Sequence, residues 1–240
     1  MKRYIAILLA AAMATLGISA CRKENSNKET KVQKDSDIKV VTTIFPEYDW
    51  VRQIAGEEAD QMDITMLLDN GVDLHSYQPT AEDIMKVSDC DLFVYVGGES
   101  DAWVDDALKQ AKNKDMQVVD LLDVLGNSAK EEEVIEGMEP EEEEEEPEYD
   151  EHVWLSVKNA EVLSKAIADA LEKVDPDHKD IYQENASAYS EKLKDLDAKY
   201  QEVVDGASQK TLLFGDRFPF RYLVDDYGLN YYAAFSGCSA

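Results

Sequence analysis

From residue 38 onward, short β-branched apolar runs alternate with longer amphipathic ones. Residues 38–45 (Ile-Lys-Val-Val-Thr-Thr-Ile-Phe) predict a strand closed by Pro46. Tyr48, Val51 and Ile54 follow at helical spacing. Residues 62–68 predict a second strand, 80–88 a short helix capped by Thr80, and 92–96 a third strand ended by Gly97-Gly98. A further helix over 101–112 and a strand over 117–122 continue the rhythm. Strand and helix taking turns in this way predict an α/β fold whose mostly parallel sheet is covered on both faces.

The rhythm breaks over residues 130–150, where Glu131-Glu132-Glu133 and the glutamate run 141–146 stand between Pro140 and Pro147 as punctuation. Such a stretch repels itself and has little to bury, so it predicts a solvated, disordered loop. It reads either as a solvated insertion with no task or as a weak cation-gathering segment, whose carboxylates, lacking fixed geometry, favour hard cations without selecting zinc. Order resumes with a helix capped by Ser156, whose apolar face is Ala160, Leu163, Ile167, Ala170 and Leu171. Pro176 ends it. A longer helix then runs to about Val204, carrying Tyr182, Ala186, Tyr189, Leu193, Leu196 and Tyr200 at intervals of three or four. At about 1.5 Å per residue it would be about 40 Å long, enough to cross one domain or join two.

After Gly206 the alternation restarts at 211–214, 218–226 and 229–235. Two strands leave a sheet edge and an apolar face uncovered, so the chain is expected to stop inside an unfinished second unit. The expected organisation is therefore a first α/β lobe over 38–173 containing the acidic loop 130–150, a linking helix over 174–206, and the start of a second lobe over 207–240.

The leading residues carry no part of this pattern. Lys2 and Arg3 precede an apolar run too short for the roughly 20 residues a spanning helix needs, and Gly17-Ile18-Ser19-Ala20 directly precedes Cys21. Residues 1–20 therefore read as a lipoprotein signal peptide and Cys21 as its lipidated first mature residue, with an ordinary secretory signal as the simpler alternative. Residues 21–37 are too polar to offset the entropy of ordering and read as a flexible tether. The chain is expected outside the cytoplasm, anchored by lipid to a bacterial cell membrane.

A formal charge of −28 makes nucleic acid an unsuitable partner and favours cations. Cys90 and Cys238 belong to no CxxC pair, so neither a disulfide framework nor a cysteine zinc knuckle is supported. A single bridge between them stays open; otherwise each reads as a small core thiol, Cys238 with the added option of a thiolate donor.

Three histidines remain as candidate chemistry. His75 lies in Asp73-Leu74-His75-Ser76-Tyr77-Gln78-Pro79, after the second strand, where α/β proteins usually place ligands. His152 lies in Asp150-Glu151-His152-Val153-Trp154, where the acidic loop rejoins ordered structure; His178 opens a helix and reads as a surface residue. Neutral imidazole is the commonest zinc ligand, and both of the first two sit beside aromatic residues.

The segments His75-Ser76-Tyr77-Gln78-Pro79-Thr80 with Asp83-Ile84, Glu151-His152-Val153-Trp154-Leu155-Ser156, and Asp175-Pro176 with Tyr182, Asn185-Ala186 and Tyr189 resemble, in order and spacing, the zinc and manganese solute-binding lipoproteins of ABC importers. The resemblance runs from residue 38 to the end. It implies two Rossmann-like lobes joined by one long rigid helix, a metal held between them, and His75 and His152 as the first two ligands. The third ligand of that family, a histidine or glutamate, falls on Arg217 in a gapless comparison from Tyr227-Gly228, and guanidinium cannot coordinate. Asp216 is the nearest competent donor, with a helix N-cap as its other reading. The family's fourth, acidic ligand would fall beyond Ala240.

The expected function is capture without catalysis. A monomeric binding protein takes up Zn2+, with Mn2+ as the second choice because it wants more oxygen ligands, and delivers it to a membrane permease. No HExxH, Ser-His-Asp or phosphate-loop pattern supports an enzyme, although a zinc hydrolase or a lipoprotein adhesin would be the readings from other classes.

Overall fold

The structure, a computed structural model, describes residues 38–69, 71–138 and 148–238. The signal peptide, the tether, Cys21 and the glutamate run 141–146 lie outside the described residues. No helix among the described residues is long and apolar enough to cross a membrane.

Four parallel strands form the main sheet: β1 (Ile38–Thr42), β2 (Met62–Met66), β3 (Leu92–Tyr95) and β4 (Gln117–Asp120). Their spatial order is β2-β1-β3-β4. With β1 and β3 in the middle, Val40, Val41, Leu92, Phe93 and Val94 are all buried, as the apolar runs of a doubly covered parallel sheet should be. The connections are α1 (Phe45–Ala55), α2 (Ala81–Asp89) and α3 (Val104–Lys109), and α4 (Leu121–Leu125) follows β4.

Two boundaries differ from expectation for an identifiable reason. β1 ends at Thr42 and α1 begins at Phe45, because Pro46 in a first helical turn loses no hydrogen bond. The buried Glu47 carboxylate reaches back and accepts from the amides of Thr43 (2.8 Å) and Ile44 (3.2 Å). Similarly, β4 stops at Asp120, whose side chain accepts from Asp123 N and caps α4.

α5 (Val157–Val174) packs on β3 and β4, and α6 (Lys179–Gly206) packs on α5 and α1, the two long helices being separated by a single tight turn at Pro176–His178. Ser156 accepts the Asn159 amide as the cap of α5, and Ala160, Leu163, Ile167, Ala170 and Leu171 are its buried face. The long helix behaves differently along its length. Tyr182 is fully buried, but Leu196 and Tyr200 are each 41% exposed, so the regular apolar spacing outlasts the surface it can pack on. Tyr200 instead stacks on Tyr227 with ring centroids 5.5 Å apart.

A smaller parallel pair, β5 (Thr211–Arg217) and β6 (Asn230–Phe235), flanks α7 (Arg221–Asp226). Met138, Phe218, Val224 and Ala233 form its buried cluster, and Phe218 stacks on Tyr231. The base of the acidic loop is ordered where solvation alone predicted otherwise. Glu131 bridges Tyr149 in antiparallel sense, and Asp150 N donates to Lys130 O at 2.8 Å. Tyr222 clamps this base: its hydroxyl donates to Asp150 O (2.8 Å) and accepts from Lys130 N (3.1 Å). The acidic segment thus leaves and returns at one point, directly beside His152.

Candidate metal centre

His75 sits on a single turn, Leu74–Ser76, just beyond the carboxyl end of β2. Asp73 fixes that turn, its Oδ1 accepting the His75 amide at 3.0 Å. His152 begins another single turn, Val153–Leu155, and Asp150 Oδ1 accepts its amide at 2.8 Å. Both histidine amides are thus held by a carboxylate two residues upstream. Seventy-seven positions apart in the chain, their Nε2 atoms lie 3.3 Å from each other.

What each ring does with its other nitrogen sets the chemistry of this approach. His152 Nδ1 lies 3.1 Å from Asp150 Oδ1. His75 Nδ1 lies 3.0 Å from Ser100 Oγ and 3.3 Å from Glu151 Oε2. A carboxylate beside Nδ1 keeps the proton there and leaves a lone pair on Nε2, the arrangement that orients metal-bound histidines. Two such lone pairs facing one another repel unless a cation or a shared proton lies between them. Zinc–nitrogen bonds of about 2.0–2.1 Å at a tetrahedral angle put the two nitrogens about 3.3–3.4 Å apart, which matches the observed separation.

The carboxylates are themselves built in. Asp150 and Glu151 are each 2% exposed. Glu151 Oε1 accepts the Ser100 amide at 2.8 Å. Gly98, at φ +78°, lies so close that a Cβ there would run into the Glu151 carboxyl group. The Gly97-Gly98 turn after β3 therefore lets Glu151 reach under His75. The Glu151 hydrogen bond raises the His75 pKa above its ordinary value, against burial, which lowers it. Trp154 packs on the His152 ring at 5.3 Å and screens it from water.

The other candidates fall as follows. Asp216, on β5, is exposed, and its Oδ1 accepts the Arg217 amide at 2.9 Å. Arg217 points its guanidinium toward Asp73 (Nη1 to Oδ2 3.9 Å). Among the described residues, the potential metal-ligating group around the two rings is His75, His152 and Cys238, with one ligand atom of each within 4.8 Å of the others. His178 is remote in role, its Nδ1 bonded to Asp175 Oδ2 at 2.7 Å. Both described cysteines are free thiols; Cys90 is a buried core residue whose Sγ contacts Val87 O.

Sequence reasoning passed over Asp150, Glu151 and Ser100. The acids were hidden by belonging to a longer acidic stretch, although their position immediately before His152 was a usable signal. Changing Asp150→Asn or Glu151→Gln is expected to weaken zinc binding by about 10- to 100-fold each, the usual cost of losing an outer partner of a ligating histidine. Competition titration against a chelator of known affinity measures this.

A family model described as the periplasmic component A of the zinc-uptake complex (ZnuA) matches residues 40–240. The zinc-binding lipoprotein AdcA of Streptococcus pneumoniae is 35% identical over 236 residues, which cover 97% of this chain and 44% of that protein. The high-affinity zinc uptake system protein ZnuA of Bacillus subtilis is 33% identical over 235 residues, covering 95% of this chain and 70% of that protein. Among solved structures, Zn(II)-bound AdcA from Streptococcus pneumoniae superposes with a TM-score of 0.66 at 32% identity, over 82% of this chain and 39% of the other. The chain spans less than half the length of the AdcA relatives it matches.

Proposed function

As a member of the ZnuA family of zinc-uptake components, this chain, we propose, captures a divalent transition metal outside the cytoplasm, zinc ahead of manganese, and hands it to a membrane permease. His75 and His152 donate through Nε2. Asp150 and Glu151 keep their Nδ1 protons in place, so the site needs no rearrangement of rings before the ion arrives. The nitrogen-rich donor pair favours zinc, since manganese prefers oxygen and higher coordination. Asp216 stays in the proposal as an oxygen donor from β5, at the strand end that carries Arg217 toward Asp73. Cys21 is the proposed lipid anchor that keeps the protein at the membrane surface, and a single chain suffices for binding.

The observation that carries this reading is the 3.3 Å approach of two Nε2 atoms whose Nδ1 partners are an acid on each side. A catalytic zinc site would add an activated water and a general base serving a substrate; capture requires neither. The test is growth of a strain lacking the gene in chelator-treated medium. Zinc accumulation that is lost in that strain and restored by the wild-type gene supports transport. Unchanged zinc accumulation with lost surface attachment would replace transport by adhesion. Restoration by wild type but not by Asp216→Asn keeps Asp216 as a donor, and full restoration by that variant removes it.

A further inference from the structure

Arg217 occupies the position where the family resemblance requires a third ligand, so the two imidazoles lack a donor that the main chain pattern would have supplied. We propose that Cys238 supplies a further donor through Sγ, so that the site holds a thiolate beside its two imidazoles, with Asp216 as its oxygen donor. The proposal rests on the metal-capture reading above and adds to it a donor of different chemistry.

Three observations converge on this sulfur. It belongs to the group formed with His75 and His152, one ligand atom of each lying within 4.8 Å of the others. Its backbone is anchored: Cys238 N donates to Glu132 Oε1 at 2.7 Å, which ties the chain after β6 to the base of the acidic loop. Gly237 shows that the approach is a tight one. A Cβ at that position would stand 2.9 Å from Phe218 O, 3.3 Å from Asp150 Oδ2 and 3.3 Å from His152 Nδ1. Only a residue without a side chain lets the backbone lie directly against the His152–Asp150 pair, and the next residue is the cysteine. By contrast Cys90 is enclosed among apolar groups, and its Sγ contacts Val87 O and Met116 Sδ.

Sulfur in the shell changes selectivity. Thiolate favours zinc and other soft or borderline ions over manganese, which carboxylate and water would suit. In the binding step the Cys238 S–H bond breaks, a zinc–sulfur bond forms from the same electron pair, and the proton leaves to buffer. At a pH where both imidazoles are already neutral, metal uptake should therefore release one proton more than a purely nitrogen and carboxylate site would.

Cobalt(II) titration of the full chain distinguishes the cases. The wild type and Cys90→Ser are expected to develop an intense near-ultraviolet thiolate-to-cobalt charge-transfer band, and Cys238→Ser to lose it. Zinc affinity of Cys238→Ser should fall by at least about tenfold, the lower end of what even an outer partner contributes, while manganese affinity changes less. Cys238→Ala serves if the serine variant loses its circular dichroism spectrum. A wild-type protein that binds cobalt tightly through His75 and His152 without the band overturns the cysteine assignment and leaves metal capture intact. Failure to bind zinc or cobalt at all overturns both.

Discussion

Zinc binding is expected to collapse, by at least about a thousandfold, in a chain carrying His75→Ala and His152→Ala together. Losing a single outer-shell partner of a zinc histidine typically costs about 10- to 100-fold, and this pair removes two donors at once. The carboxylates of Asp150 and Glu151 would remain, but each is placed to accept from a ring nitrogen or an amide rather than to surround an ion. Calorimetry measures the loss directly. Thermal denaturation gives a second readout, because zinc at 100 times its dissociation constant stabilises a protein that binds it only when folded by about 2.7 kcal/mol. The double variant should show no zinc-dependent rise in Tm. Since His152 is 8% exposed and Asp150 and Glu151 are 2% exposed, alanine leaves buried acids with fewer partners. A His→Gln pair, which preserves polar groups near those acids, guards against reading a folding defect as a binding defect. Persistence of wild-type affinity in either folded variant would end the assignment of these residues.

The second large effect concerns the pH dependence of the metal-free protein. Asp101 is 3% exposed, and its Oδ2 accepts from the amides of Val96 (3.0 Å) and Gly97 (3.1 Å). Its Oδ1 has no hydrogen-bond partner among the described residues. Burial pushes the carboxyl up to about 7; the Gly97 amide opposes this and the Glu151 charge adds to it. Glu47, fully buried, is likewise raised by burial and then by Asp101. A carboxyl with a raised folded-state pKa binds its proton more tightly in the folded chain than in the unfolded one. Its contribution to stability is complete below the unfolded value of about 3.9 and is lost as pH rises through about 7. From pH 5 to 8 the metal-free protein should therefore lose about 2–3 kcal/mol on account of Asp101. Asp101→Asn keeps an oxygen for the two amides and presents an uncharged amide where the acid would ionise. The expected result is a flatter dependence of Tm on pH and a higher Tm at pH 8. A variant with the same slope as the wild type would mean that Asp101 is ionised throughout.

Local chemistry made much of the molecule legible from residue order alone. The caps at Thr80 and Ser156, the buried strand cores around Val40 and Phe93, and the stripe from Ala160 to Leu171 each depend on contacts within one element or one layer. The two candidate ligand histidines could be singled out because only three occur in the whole chain and two lie at loop positions. Harder to read were places where a regular pattern outran its packing partner, as at Leu196 of α6, which is 41% exposed although it continues the apolar spacing. The acidic loop was misjudged at its base for the opposite reason, since pairing of Glu131 with Tyr149 and the clamp by Tyr222 are non-local.

By itself the residue order determined the α/β alternation, the helix starts and the two imidazoles as candidates, because periodicity and capping act over a few neighbouring positions. Tertiary structure alone decided that those imidazoles meet at 3.3 Å, that Asp150, Glu151 and Ser100 orient them, and that Cys238 lies within 4.8 Å of both. These are distances between segments up to 163 positions apart, from His75 to Cys238 (238 − 75), and they follow from how sheets and turns pack, which no local pattern encodes.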